Sequence, residues 1–351
     1  MKNKTLNIIY VSSSEKGPSG GVKILYDHSH HINKIKLPDV TSEVLHIKKK
    51  KLSKWKISVE KRLNLFKPKF TGWNAKEITI DKKFKSSWFK NKIKIRKKFL
   101  FDKNKDFVIF PEIFAHFAKD LCIKKKIPYA IFALNGYTLK RTDDYKTLDE
   151  SYRKAKFILT VSNNITECVK LAFPFCSKKI LKTNLSVDFN NFNFKIKKSN
   201  LITYMSRKSP EHSELVLFFL RNQLSRKWKI KELHNLKETE VYKYLLKSKI
   251  FLAFTQFEGL GMPPIEAAMA GNKIIGYTGE GGKEIWNKPI FSEIPNGNIM
   301  MFVNEIMKSV KIGLPLQRSS SQRKKIISLF SLNSEKKNLI KMISKIKKLR
   351  F

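Results

Sequence analysis

The stretch from Ile250 to Gly271 constrains this chain more than any other part of it. Ile250 to Phe254 is a short apolar run of the kind a parallel sheet covers on both faces. Gly259 and Gly261 allow a tight loop whose backbone can approach whatever lies above it. Pro263 and Pro264 suit the opening positions of a helix, where no amide donor is lost, and Gly271 suits the position just past its end. Glu258 stands at the mouth of the strand and Glu266 in the first turn of the helix. Two carboxylates bracketing a glycine loop describe a ligand site, not a packing unit.

The same alternation of apolar strand and amphipathic helix fills the rest of the sequence. Leu6 to Val11 reads as a strand, Ser12 to Gly21 as a loop and Val22 to Ile32 as a helix. Gly20 and Gly21 thus precede a helix, an arrangement that turns backbone N–H groups toward an anion. Strands are predicted at Glu43–Ile47, Phe107–Phe110, Tyr129–Leu134, Phe157–Val161 and Ile180–Leu185. Helices are predicted at Asp149–Lys156 and at Asn163–Ala172, the latter capped by Ser162. After an Asn- and Lys-rich stretch the pattern restarts. Strands are predicted at Leu201–Ser206, Trp228–Leu233, Ile250–Phe254 and Lys273–Tyr277, with helices at Glu211–Leu224, Glu238–Leu246, Ile299–Val310 and Leu332–Leu349. The expected fold is α/β, two Rossmann-like domains with parallel sheets facing across a cleft. The expected boundaries are 1–188, a linker over 189–200, a second domain over 201–330, and a basic helix over 331–351 that packs back on the first domain.

Charge is the most conspicuous compositional feature, with 72 Lys and Arg against 29 Asp and Glu, a formal net of +43. Such a charge speaks to association and not to fold. Lys, Ile, Asn and Phe are abundant together, the usage of an AT-rich genome, and this reading is preferred over nucleic-acid binding. An anionic membrane surface stands between the two. From Lys48 to Phe99 lysines alternate with Trp55, Leu63, Phe66, Phe70, Trp73, Trp88 and Phe89. That pattern fits either a lipid-facing surface or, as preferred, ordinary amphipathic segments. Cys122, Cys168 and Cys176 show no CxxC spacing, so neither a disulfide framework nor a zinc site is expected. No leader and no spanning segment is visible, and a cytoplasmic protein is expected, with membrane contact confined to its surface.

Ligands of open parallel sheets bind beyond the carboxyl ends of the strands. Glu112, His116, Asn135 and Gly136 fall in that zone in the first half. His28, His30 and His31 lie on the first helix and read as surface or packing residues. In the second half, Arg207 and Lys208 follow the first strand, where a bidentate guanidinium and an ammonium suit phosphate oxygens. The helix opening at Pro263 offers free N–H groups and a positive dipole end, and Gly281–Gly282 offers a second flexible backbone. Carboxylates would repel phosphate, so Glu258 and Glu266 accept from sugar hydroxyls. Sugar, diphosphate and ribose together describe a nucleotide-sugar.

The run Glu258-Gly259-Leu260-Gly261-Met262-Pro263-Pro264-Ile265-Glu266 resembles the signature of family 4 GT-B glycosyltransferases (glycosyl transferases group 1), a glutamate, seven residues and a second glutamate. The Gly20-Gly21 loop, Leu185-Ser186-Val187-Asp188, Tyr204 to Pro210 and Gly281-Gly282-Lys283-Glu284 agree with it in order. The resemblance is strong over 201–285 and loose over 48–105. It implies a retaining transfer from a nucleotide-sugar, of the hexosyltransferase type, to a glycan or lipid-linked acceptor in cell-surface polysaccharide or lipopolysaccharide synthesis. The first domain would bind the acceptor and the second the nucleotide-sugar. No cofactor and no metal are expected. Glu258 would contact the donor sugar and Glu266 the nucleotide ribose, while Arg207 would neutralise the departing diphosphate. Gly259, Leu260, Gly261, Met262 and Pro263 would line the same loop. Many members carry a lysine five residues after that arginine; here His212 stands there and Lys208 adjoins Arg207, so either could supply the second phosphate charge.

The competing readings are a nucleic-acid-binding protein, which rests on charge alone, and an inactive GT-B relative. A dinucleotide oxidoreductase lacks its fingerprint after the first strand. A metal-dependent GT-A enzyme would want an Asp-x-Asp at a strand end, whereas Asp143-Asp144 precedes a helix and reads as a capping pair.

Overall fold

The computed structural model describes residues 5–14, 16, 17, 19–49, 78–84, 86–140, 142, 144–188, 192–312 and 321–350. Its first half runs β1 (Leu6–Ser13), α1 (Gly20–Ile35), β2 (Val40–Lys49), β3 (Ile78–Ile80), β4 (Ile95–Arg96), β5 (Asp106–Pro111) and β6 (Tyr129–Ala133), then α2 (Tyr145–Lys154), β7 (Ile158–Thr160), α3 (Asn163–Ala172) and β8 (Ile180–Lys182). The strands form one sheet in the order β3-β2-β1-β5-β6-β7-β8, with β4 also on β2. All pairs are parallel except β2 with β3. Ile8, Ile9, Phe107, Val108, Ala130 and Ile131 are fully buried, which explains why the central strands read as unbroken apolar runs.

The second half runs β9 (Leu201–Met205), α4 (Pro210–Leu220), β10 (Lys229–Glu232), α5 (Glu238–Lys247), β11 (Ile250–Thr255), α6 (Met262–Met269), β12 (Lys273–Thr278), β13 (Phe291–Glu293) and α7 (Ile299–Ile312), with α8 (Ser321–Leu329) and α9 (Leu332–Arg350) closing the chain. Its sheet is wholly parallel, in the order β10-β9-β11-β12-β13. Each sheet reverses its winding once. In the first the reversal falls between β1 and β5, in the second between β9 and β11, and those two gaps are where such folds hold ligands.

Several boundaries differ from expectation for local reasons. Helix α2 starts before Asp149 because Asp144 caps it, accepting from the Thr147 amide at 2.9 Å. The helix expected to Leu224 ends at Leu220, where the chain turns so that the Gln223 and Leu224 amides both reach the Leu220 carbonyl. The strand expected to Leu185 stops at Lys182. Short edge strands β3, β4 and β13 carry too few residues for a periodicity to show. In the basic, aromatic segment, Trp88 and Phe89 turn inward and pack on Tyr26 of α1, with ring centroids 5.7 and 5.1 Å away, so neither belongs to a lipid-facing surface. Trp55, Leu63, Phe66, Phe70 and Trp73 lie outside the described residues, as does Asp143.

The tail returns to the first sheet. The Val187 amide donates to the Phe330 carbonyl at 3.0 Å, and Asn184 donates to Ser334 at 2.9 Å. Lys347 of α9 lies 3.3 Å from Asp39. Glu335 is buried against α1, its carboxylate 3.3 Å from both His28 and His31 and bonded to Ser186. His28 and His31 therefore serve packing, with His28 wholly enclosed. Burial drives the His28 imidazole down to about 4 against the pull of Glu335. Burial alone would raise the Glu335 carboxyl, yet His31, His28 and Ser186 hold it below its ordinary value. Among the described residues, no helix is long and apolar enough to cross a membrane.

Both shifts act on the acid side. A depressed His28 disfavours the protonated fold as pH drops below the ordinary imidazole value of about 6.5. A depressed Glu335 contributes stability that is lost as pH falls through its folded value. The urea midpoint should therefore decline from about pH 6.5 toward 4. Glu335→Ala should cost about 1–3 kcal/mol at neutral pH, because it leaves the Ser186 hydroxyl and the enclosed, neutral His28 without their acceptor; an unchanged midpoint in that variant would contradict the account.

Candidate functional site

At the winding reversal of the second sheet, the chain leaves β9 for one face and β11 for the other, and the two departing loops face each other. Arg207 and Lys208 occupy an exposed turn after β9. The loop after β11 passes through Phe257, Glu258 and Gly259 to Gly261, whose φ of 73° places it in the left-handed region just before α6. In the first turn of α6 only Met262 and Ile265 carry an N–H, Pro263 and Pro264 having none, so that turn offers mainly its positive dipole end. Arg207, Lys208, Thr255, Glu258, Pro263 and Pro264 line one pocket there. Lys208 Nζ stands 3.4 Å from Glu258 Oε1. Both side chains are partly exposed, so that bridge adds about 0–1 kcal/mol and is easily exchanged for a ligand.

Glu266 lies four residues into α6, partly exposed, with Tyr242 of α5 donating to its Oε1 at 3.0 Å. Burial pushes its carboxyl up to about 7, opposed by the Tyr242 bond and by the Lys23 ammonium of α1. Lys23 is itself held by Asp27 at 2.8 Å. The helix is secured from behind. Fully buried Asn272 donates to the Leu245 and Ala267 carbonyls, both at 2.8 Å. Fully buried Arg323 of α8 donates through Nε to the Ala268 carbonyl at 2.7 Å, setting a cation at the negative end of α6.

The glycines explain how close the loops run. A Cβ on Gly259 would sit 1.8 Å from the Leu134 carbonyl oxygen at the end of β6. A Cβ on Gly281 would sit 2.1 Å from the Glu258 oxygen, and Gly282, at φ 74°, lies against the Leu260 carbonyl. Gly281 and Gly282 thus support the loop from below, and Leu260 is buried between them and the first half. A Cβ on Gly21, in the first turn of α1, would meet Leu134 Cδ1 at 3.6 Å, an ordinary contact, and one on exposed Gly20 would meet nothing within 4 Å.

The other residues singled out in the sequence fall as follows. Asn135 directs its amide group to the Phe257 carbonyl at 2.8 Å. Glu112 is buried and accepts from the Leu134 amide at 2.9 Å and the Thr138 hydroxyl at 2.6 Å, which fixes the loop after β6. His116 sits in a short turn after β5, half-buried against Phe117. His212 packs edge-on to Tyr277 with ring centroids 5.6 Å apart, and it is Lys208 that shares the pocket with Glu258 and Arg207. Met262 is the first residue of α6. Sequence reasoning missed Tyr242, Lys23, Arg323 and Glu284. The last accepts from the Asn163 amide at 2.9 Å and from Lys182 at 3.0 Å, both in the first half. Only Glu284 had a signal, its place in the Gly281–Glu284 run.

No protein-family model matches the sequence, and no curated relative matches it. Solved structures do match its fold. HepE from Anabaena, in complex with UDP-glucose, superposes with a TM-score of 0.63 over 97% of this chain and 99% of its own, at 9% identity. The apo lipopolysaccharide outer core galactosyltransferase WaaB gives 0.63 over 96% and 99%, at 14% identity. A glycosyltransferase from Rickettsia africae gives 0.63 over 98% and 99%, at 14% identity. The chain adopts the GT-B fold, two Rossmann-like units with the strand ends of one facing those of the other.

Gly259→Ala should force the loop away from β6. Overpacking at well-filled positions costs about 1–3 kcal/mol, and a backbone neighbour cannot rotate aside. A melting temperature equal to the wild type would show that the approach is looser than described.

Proposed function

We propose that this chain is a retaining family 4 glycosyltransferase that moves a hexosyl group from a nucleotide-sugar to a glycan or lipid-linked acceptor. The observation that carries the reading is the single pocket shared by Arg207, Lys208, Glu258 and the start of α6, at the winding reversal of the second sheet. Support comes from the fold, which matches HepE bound to UDP-glucose and the galactosyltransferase WaaB.

The diphosphate lies against Arg207, Lys208 and the positive end of α6, which together neutralise it without a metal ion. Glu258 accepts from hydroxyls of the transferred sugar and Glu266 from the ribose. The bond from the anomeric carbon to the diphosphate oxygen breaks toward an oxocarbenium-like state. The acceptor oxygen bonds to that carbon from the same face and its proton passes to the departing diphosphate. Gly20 and Gly21 at the start of α1 and His116 in the turn after β5, all in the first half, face the acceptor side. Excluding water as the cleft closes protects the sugar from hydrolysis. The pathway would be cell-surface polysaccharide or lipopolysaccharide assembly, with the basic surface meeting the anionic inner face of the cytoplasmic membrane.

A thermal-shift panel of UDP-, GDP- and ADP-sugars tests the donor class, since a ligand at 100 times its Kd stabilises by about 2.7 kcal/mol. Stabilisation by none of them would remove the assignment. Arg207→Ala should lower kcat by about 100-fold or more while the melting temperature holds. Ribose hydroxyls favour the ionised Glu266, so binding near pH 7 should release a proton. Calorimetry in buffers of different ionisation heat reads that proton directly, and Glu266→Gln should abolish its release.

A further inference from the structure

We infer that Asn135 and Ser162, both in the first half of the chain, are positioning residues that aim Glu258 of the second half. The inference rests on the proposed role of Glu258 at the transferred sugar.

The carbonyls of the two residues on either side of Glu258, Phe257 and Gly259, are each held by a side chain from across the cleft. The Phe257 oxygen accepts from Asn135 Nδ2 at 2.8 Å, and the Gly259 oxygen accepts from Ser162 Oγ at 2.9 Å. Neither side chain has freedom to do otherwise. Asn135 Oδ1 accepts from the Tyr137 amide at 2.9 Å, an obligate donor, so its NH2 group must face Phe257. Ser162 is fully buried, and its hydroxyl accepts the Ile165 amide at 3.2 Å as the cap of α3, leaving its proton for Gly259.

The loop cannot evade these bonds. Gly259 presses on the Leu134 carbonyl from one side and Gly281 presses on the Glu258 and Gly259 carbonyls from the other. The Glu258 amide is bonded to the Gly279 oxygen at 2.9 Å. Phe257, though not glycine, sits at φ 49°, a conformation that an isolated loop would abandon. Its exposed ring meets Tyr137 at 5.0 Å, one aromatic from each half. The peptide plane before Glu258 and the plane after Gly259 are both anchored, and the Glu258 carbonyl between them packs on Gly281, so the direction of the Glu258 Cα–Cβ bond is set. Glu258 is therefore aimed only when the two halves are docked, and recognition of the sugar depends on docking in a way that recognition of the bare diphosphate does not.

The test uses the full chain and Asn135→Ala, with Ser162→Thr keeping the hydroxyl and Ser162→Ala removing it. Hydrogen exchange needs no ligand. Loop amides 257–261 should exchange about tenfold faster in Asn135→Ala and Ser162→Ala, the loss of one hydrogen bond of about 1.4 kcal/mol, and at the wild-type rate in Ser162→Thr. Affinity is then read with paired probes, UDP and UDP-glucose, GDP and GDP-mannose, ADP and ADP-glucose. In the pair that binds, Asn135→Ala should weaken the nucleotide-sugar about tenfold and leave the diphosphate unchanged. Unaltered exchange overturns the inference, as does an equal loss of both ligands. If the wild type binds no probe, the donor assignment fails and the exchange result alone decides the positioning role.

Discussion

The contact on which the rest depends is the approach of Gly259 to the Leu134 carbonyl, where the ends of β11 and β6 meet with no room for a side chain. Everything that makes the pocket is hung from that contact. Gly281 backs the loop, Gly261 turns it into α6, and α6 brings its opening end, at Pro263 and Pro264, into the pocket that Arg207 and Lys208 share. Asn272 and Arg323 then hold the far end of the helix, so that its opening end is fixed in space. A glycine here is a requirement of distance, since φ is unexceptional at Gly259 and only the approach forbids a Cβ.

The two glutamates of α6 and its approach loop are set differently, one by burial and one by pairing. Glu266 is pushed toward neutrality by its surroundings, with Tyr242 and Lys23 opposing the shift. Glu258 keeps its partner Lys208 in a half-exposed bridge that a ligand can displace at little cost. A carboxyl pushed up to about 7 in α6, and a second in the loop before it whose bridge is easily exchanged, are two acceptors of different character.

Much of this was legible in the sequence because it is local. The run from Ile250 to Gly271 announces strand, loop and helix through its own apolar and glycine pattern, and Arg207–Lys208 marks the end of the preceding strand. Ser162 was readable as a cap for the same reason. What could not be read is what reaches across the fold. That Ser162 also bonds Gly259, that Asn135 faces Phe257, and that Trp88 and Phe89 cover Tyr26 depend on partners far away in the chain. Nothing local in the basic tail marks Glu335, whose partners His28 and His31 lie near the opposite end of the chain.

The return of the tail has a topological consequence. The stretch ending at Val187 and the stretch beginning at Phe330 are bonded to each other at three places, Val187 to Phe330 at 3.0 Å, Asn184 to Ser334 at 2.9 Å and Ser186 to Glu335. The helix that Glu335 anchors therefore belongs in space to the first half although it follows the second along the chain. The two halves are not independent lengths of polypeptide, and the first is completed only after the whole of the second has been made.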